Sequence, residues 1–452
     1  MKKNKIYSNY THMKIILALL LLIAFSGKSQ SVEEKIKMRV DYQETPGIAV
    51  GIYENGKITY YSFGVMNLQS GELVTSKTLF EIGSITKTFT TSMAALLSLE
   101  NKLKFSDRAQ VYLPSKMILP EKNGKAITIE HLATAHSGLP RMPLNFSPAD
   151  AANPYIDYKE DFLTAFISNC ELTRDPGAQY EYSNLGMGLL GYILTRIEEK
   201  PYPKLVTELI TKPLDMNQTF VSGTSKEKHL ATGYSENNPV KAWTWNNESV
   251  LTGAGGLVSN AEDMMKFMVA QLTSSNNPLS KAFVLTHFAR ADAGKMKIGY
   301  GWHIRDEKLV WHNGGTGGFR SFAGFDQSKN KAVVILTNSN TGADDLGFHL
   351  LNDQYELKAL KKPVTISEAV LNNYVGTYEI APTFSIAVTL ENGGLMIQAT
   401  NQPKVNIYPE SETKFYLKVV DAQIHFFKDG TGKVEKLELH QGGAVMPGKK
   451  VK

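Results

Sequence analysis

The sequence predicts an α+β protein: one antiparallel sheet flanked by helices, with a helical subdomain inserted between its strands, followed by a small C-terminal all-β domain. Three observations carry this. Apolar, β-branched and aromatic runs occur near residue 50 and again between about 302 and 337. The stretch between them has a helical hydrophobic period. Beyond Lys361-Lys362-Pro363 the chain changes to short alternating segments separated by turn residues. The expected units are residues 1–30 as an export signal, 31–360 as the main domain and 361–452 as the C-terminal module.

Taken in order, Val32–Arg39 reads as a short helix. Ile48–Tyr53 and Ile58–Val65 read as strands joined through Asn55-Gly56, a pair suited to the left-handed conformation of a two-residue hairpin. Thr86–Leu99 carries Phe89, Met93, Leu96 and Leu97 at helical spacing, and Leu185–Ile197 repeats the pattern with Leu185, Leu189, Leu190, Ile193 and Leu194. Ala261–Leu272 follows an expected cap at Asn260. Trp302–Ile304, Leu309–Trp311, Phe319–Phe325 and Ala332–Thr337 supply the second strand group, with a turn expected at Gly314–Gly318, and a helix is expected over Asp344–Lys358. In the C-terminal module Ser385–Leu390, Gly394–Gln398, Lys414–Val419 and Gln423–Phe427 alternate as strands of a barrel-like domain.

Hydrophobic residues make up 42% and charged residues 21% of the 452, an ordinary globular balance. Lysines precede the apolar run Ile15–Phe25, and small and polar residues follow it, the order of a secretory signal. That run is too short for a membrane helix, which needs about 20 residues. The expectation is a periplasmic or secreted protein with no stable membrane span after cleavage. The signal holds five lysines and no acid against a formal charge of +5, so the rest of the chain is neutral. Nucleic acid is therefore not an expected partner. Cys170, the single cysteine, excludes an internal disulfide and reads as a buried structural thiol. No cofactor is implied. The histidines form no H-E-x-x-H motif and there is no cysteine cluster, so no metal is expected.

Chemistry concentrates in three segments. Phe80-Glu81-Ile82-Gly83-Ser84-Ile85-Thr86-Lys87 opens the helix at Thr86. A serine hydroxyl needs a base to become a nucleophile, and a lysine three residues on shares its helical face. Such a lysine must be partly neutral, which calls for a crowded, semi-buried site. Serine and lysine share this spacing also at Ser225, Ser328 and Ser411, but only Ser84 opens a long helix with an apolar face. Tyr180-Glu181-Tyr182-Ser183-Asn184 precedes the second long helix; a phenol beside a lysine can relay a proton, and an amide can orient the lysine or bind a substrate carbonyl. Its plain alternative is a helix entry capped by Ser183 or Asn184. In Trp311-His312-Asn313-Gly314-Gly315-Thr316-Gly317-Gly318-Phe319, small residues let a substrate backbone approach, and His312 can offer a donor or a positive charge toward a carboxylate or the tyrosine oxygen.

Together, in this order, the segments resemble the serine β-lactamase and penicillin-binding-protein superfamily, in particular its class C β-lactamase branch. His136-Ser137-Gly138-Leu139-Pro140, Pro213-Leu214-Asp215-Met216, Gly253–Ser259 with Asp263, and Tyr300-Gly301-Trp302 add to the likeness. The resemblance implies the β-lactamase/transpeptidase-like fold. It also implies Ser84 as nucleophile, Lys87 as its base, Tyr182 as second proton shuttle and Asn184 as a ligand of the substrate amide. His312 and Gly314 would line the substrate, and the N–H groups of Ser84 and Gly315 would form an oxyanion hole. The substrate would be a β-lactam or a D-amino-acid peptide, small molecule or peptide in either case. Three departures stand out: Thr86 where the branch prefers Ser or Ala, Ala135 at its usual His with His136 one place later, and His312 in place of a lysine. The last leaves room for a carboxylesterase with the same residues. A penicillin-binding-like sensor without turnover is the alternative from another class.

Overall fold

The computed structural model describes residues 30–223 and 225–452; the predicted signal, apart from Gln30, lies outside them. Its large sheet has eight strands: β1 (Gly47–Glu54), β2 (Lys57–Gly64), β3 (Ala291–Ala293), β4 (Met296–Ile298), β5 (His303–Arg305), β6 (Leu309–Gly315), β7 (Arg320–Asp326) and β8 (Lys331–Thr337). Their order is β2-β1-β8-β7-β6-β5-β4-β3, and every neighbouring pair is antiparallel. The first strand pair turns through Asn55 (φ 53°) and Gly56 (φ 77°), both left-handed, as a two-residue hairpin requires.

Alternation along the strands sorts the core. Ile48, Val50 and Ile52 of β1 join Val333 and Ile335 of β8 on the face covered by α1 (Val32–Asp41) and α5 (Asp344–Leu351). Ala49, Val334 and Leu336 face the other way, onto the larger core that includes Met264 and Met265 of α4 (Ala261–Leu272). Full burial of each large aliphatic side chain contributes roughly 1.5–3 kcal/mol, so a one-residue register slip would forfeit several such contributions together. Asn260 caps α4 by accepting the Asp263 N–H at 2.8 Å.

The helical insertion is built on α2 (Thr86–Leu99) and α3 (Asn184–Glu198), with short helices around them. The sequence suggests an amphipathic α2, but every residue from Thr86 to Leu97 is buried. Its polar side chains survive burial because they find backbone acceptors: Thr88 donates to Ile85 O, Ser92 to Thr88 O and Thr91 to Tyr300 O, while Thr90 reaches Gly253 O at 2.7 Å.

Other expectations change in detail. The expected helix Asp344–Lys358 stops at Leu351, because Asn352 is extended (φ −153°) and its side chain accepts the Gln354 N–H. The run Gly314–Gly318 is not all turn: β6 continues through Gly315, and the turn begins at Thr316. Cys170 is half-buried rather than buried, a free thiol at the edge of the main core.

Residues 376–450 form a closed eight-stranded antiparallel barrel, from Gly376–Ala381 to Ala444–Lys450, around Tyr378, Ile386, Val388, Ile397, Phe415, Ile424, Phe426 and Leu437. It docks on the main domain through polar contacts. Lys418 Nζ donates to Tyr42 O and Gln43 O, both at 2.7 Å, and pairs with Glu44 at 3.1 Å. Asn406 donates to Glu236 O at 2.6 Å. Among the described residues no helix is long and apolar enough to cross a membrane.

Candidate active site

Ser84 sits in a short 3-10 turn, Gly83–Ile85, that runs into α2. Gly83 is left-handed (φ 49°), and a Cβ on it would lie 2.7 Å from Gly315 N. A Cβ on Gly314 would lie 2.0 Å from Ile82 O. These glycines therefore let the end of β6 lie against the backbone beside Ser84, which brings the exposed Gly315 next to the serine. Ser321 of β7 fastens the contact by donating to Ile82 O at 2.9 Å.

Lys87 is one helical turn on, 3% exposed, and its Nζ has three partners: Ser84 Oγ at 2.9 Å, Asn184 Oδ1 at 2.9 Å and the Ala254 carbonyl at 2.5 Å. Burial drives its proton affinity well below the ordinary lysine value, and the Arg141 guanidinium lowers it further. Among the described residues no carboxylate opposes them. A neutral amine has two N–H groups and one lone pair. Loss of a proton from Lys87 would leave two N–H groups for the amide and peptide oxygens, which only accept, and a lone pair for the serine hydroxyl.

Asn184 is free for this because Ser183, not Asn184, is the helix cap, accepting the Gly186 N–H at 2.8 Å and donating to Pro140 O at 2.7 Å. Tyr182 lies between the two basic side chains: Lys87 Nζ is 4.8 Å and Arg141 Cζ 5.1 Å from its ring centre. Burial raises the phenol above its ordinary value, with the Ser84 hydroxyl working the other way, so Tyr182 holds its proton at neutral pH.

His312 is brought to the same cluster, its ring 6.1 Å from that of Tyr182 and 5.0 Å from that of His303. It is 2% exposed, and burial first, then His303 and Lys87, keep it neutral. Its Nδ1 bonds the Asn313 carbonyl at 2.5 Å, which assigns the proton to that nitrogen. Of the two roles open to it in the sequence, a positive charge is the one this environment denies.

Ser84, Lys87, Tyr182, Asn184, His312, Gly314 and Gly315 thus converge. Sequence reasoning missed the wall opposite them. A cavity of about 30 Å³ at Ser84 is lined by Tyr155, Trp243, Trp245, Ala254, Gly255 and Gly315, together with Gly83 and Asn184. Tyr155 stacks on Trp245 at 4.5 Å and leans on Trp243 at 5.0 Å. Trp243 and Trp245 are two of only four tryptophans, two positions apart in a polar loop; that density is the available signal. Clefts of about 790 and 820 Å³ lie elsewhere, but neither contains Ser84 or Lys87. Convergent polar groups, rather than size, mark the candidate site. Among the described residues no His, Cys, Asp and Glu cluster could hold a metal ion.

Comparison with known proteins bears on the family and the fold. A family model described as Beta-lactamase matches residues 32–355, and a domain of unknown function, DUF3471, matches residues 360–449. A β-lactamase of Pseudomonas fluorescens is 28% identical over 350 residues, covering 69% of this chain and 93% of the relative. The crystal structure of a β-lactamase/D-alanine carboxypeptidase from Pseudomonas syringae superposes with TM-score 0.62 at 22% identity, over 72% of this chain and 98% of that one. The octameric penicillin-binding protein homologue from Pyrococcus abyssi gives TM-score 0.62 at 21% identity, over 92% of this chain and 99% of its own.

Proposed function

Because the chain belongs to the Beta-lactamase family, as the match over residues 32–355 establishes, we propose that this serine hydrolase cleaves β-lactam or D-amino-acid peptide amide bonds through an acyl-enzyme on Ser84. The observation that carries this is the buried Lys87, whose Nζ lies 2.9 Å from Ser84 Oγ with Asn184 Oδ1 and the Ala254 carbonyl as its other partners. As Oγ attacks the carbonyl carbon, its proton passes to Nζ, and the N–H groups of Ser84 and Gly315 receive the oxyanion. Cleavage of the carbon–nitrogen bond then requires a proton on the leaving amine. Tyr182, protonated at neutral pH, relays it from Lys87. Asn184 and Gly314 position the substrate amide. Water, activated by the same groups, adds to the acyl carbon and releases Ser84. Residues 1–30 direct export, to the periplasm or beyond.

A carboxylesterase is the second reading, and the neutral His312 favours it: the position supplies no charge for a substrate carboxylate. The test is intact-protein mass spectrometry of the chain and its Ser84→Ala variant after exposure to a fluorescent penicillin or a p-nitrophenyl ester, with product release followed in parallel. An adduct or turnover that disappears in Ser84→Ala is expected, and the faster substrate ranks lactam against ester. An adduct that persists in Ser84→Ala overturns the assignment, and stable acylation without release supports a sensor instead.

A further inference from the structure

Glu81 lies three residues before Ser84, in the two-residue strand Phe80–Glu81 that pairs with Leu257–Ser259. Its side chain is 4% exposed, with no cation paired to it among the described residues. A carboxylate in that position is costly unless its oxygens are hydrogen-bonded. Glu81 Oε1 accepts the Trp243 backbone N–H at 2.5 Å. The buried Thr316 hydroxyl makes no hydrogen bond of normal geometry, yet it lies close enough to this carboxyl to lower its proton affinity.

Both partners belong to segments that shape the candidate site. Trp243 lines the cavity at Ser84, and Thr316 directly follows Gly315, which lines it too. The segments also touch each other, since a Cβ on Gly317 would lie 3.3 Å from Trp243 Nε1. One carboxyl therefore joins the backbone leading to the serine to the aromatic loop and lies beside the glycine turn.

We propose that Glu81 is a positioning residue: its buried carboxylate clamps the Trp243 loop to the Thr316 turn and so sets the distances of the aromatic wall and the Gly315 N–H from Ser84. The proposal deepens the hydrolase reading and rests on Ser84 as nucleophile. Ionised, the carboxylate accepts the Trp243 N–H and has acceptor capacity left for the Thr316 hydroxyl beside it. Protonated, it must place a proton of its own, and the clamp loosens. Burial, reinforced by the charge of Glu227 and opposed by the Thr316 hydroxyl and the bond from Trp243, raises this carboxyl to about 7. The charged groups around it are few. Glu227 is held by Ser222 at 2.9 Å, Arg320 donates to the Thr316 carbonyl at 2.8 Å, and Lys241 pairs outward with Asp150.

The test has two arms. Tryptophan fluorescence of the Ser84→Ala protein between pH 5 and 9 reads the clamp without turnover. A transition with its midpoint near pH 7 is expected, absent from Ser84→Ala proteins that also carry Glu81→Gln or Trp243→Phe. Thr316→Val, which removes a hydroxyl that lowers the carboxyl, should move the midpoint to higher pH and keeps the test alive if Glu81→Gln does not fold. In the second arm, kcat/KM of the active protein for a neutral p-nitrophenyl ester should fall on the acid side of that midpoint, and this limb should vanish in Glu81→Gln. No transition, a transition that survives Glu81→Gln, or a midpoint unmoved by Thr316→Val overturns the clamp whatever the active protein hydrolyses. Loss of the Ser84 adduct itself would overturn the hydrolase reading and leave the fluorescence result standing.

Discussion

Lys87 and Lys418 both carry an amine out of water, one behind Ser84 and the other where the barrel meets the main domain, yet their surroundings differ in one decisive respect. Lys418, its side chain 8% exposed, bonds two backbone carbonyls and the Glu44 carboxylate, and its Nζ lies 4.0 Å from the Tyr408 ring centre. Burial lowers its proton affinity, but Glu44 opposes the change. Lys87 has the carbonyl and the amide but, among the described residues, no carboxylate partner, and the charge that acts on it is a cation, Arg141. A lysine kept for cohesion receives a counter-ion. One poised as a base is denied it.

The sharpest way to break this contrast is Lys87→Met. General-base catalysis contributes typically 10²–10⁴-fold, so Ser84 acylation should fall by about 10³-fold. The melting temperature should hold or rise, because an apolar side chain replaces a buried amine. Stopped-flow acylation and a thermal melt on the same sample check both halves; retained acylation would remove Lys87 from the mechanism.

Glu44→Ala should act in the opposite sense. It strands Lys418 and should cost about 3–5 kcal/mol of stability by denaturant titration, as loss of one partner from a buried pair does. Most of this should return in Glu44→Ala/Lys418→Met. Equal stability of Glu44→Ala and wild type would show that Lys418 needs no counter-ion.

The third variant turns one lysine into the other. Asn184→Asp places a carboxylate where an amide oxygen now stands 2.9 Å from Nζ. The unprotonated amine is the active form, so acylation falls as pH drops through the Lys87 pKa. A nearby negative charge raises that pKa and moves the acid limb of the rate profile upward. Acylation on the acid side of the limb should slow by up to roughly tenfold for every pH unit the limb moves. A limb that stays in place would mean that Lys87 does not set it.

The two lysines also show what a sequence displays. Ser84 and Lys87 are three apart on one helix, so their meeting is dictated locally, and the hairpin at Asn55-Gly56 and the cap at Asn260 are legible for the same reason. The convergence of Tyr182, Asn184, His312, Gly314 and Gly315 on them was carried by resemblance in motif order, not by spacing. Glu44 and Lys418 lie in different domains, and no local pattern joins them. Nor could the pattern reveal the Ala254 carbonyl, because a backbone acceptor leaves no mark on residue choice. Strands β3 and β4, three residues each, are too short for alternation to register. The all-round burial of α2 was hidden because its threonines look like a polar face until the carbonyls that satisfy them are in place.

The close approach of Gly83 to Gly315 has a consequence for laboratory evolution. Around Ser84 the peptide chain itself supplies a large part of the inner surface, in Gly83, Ala254, Gly255 and Gly315, and at Gly83 there is no room for even a methyl group. A library randomising the neighbourhood of Ser84 would lose its Gly83 members to clash and could not alter a carbonyl at all. Selection for new substrates would therefore be channelled into Tyr155, Trp243 and Trp245, which makes this loop pair the adjustable part of an otherwise fixed site.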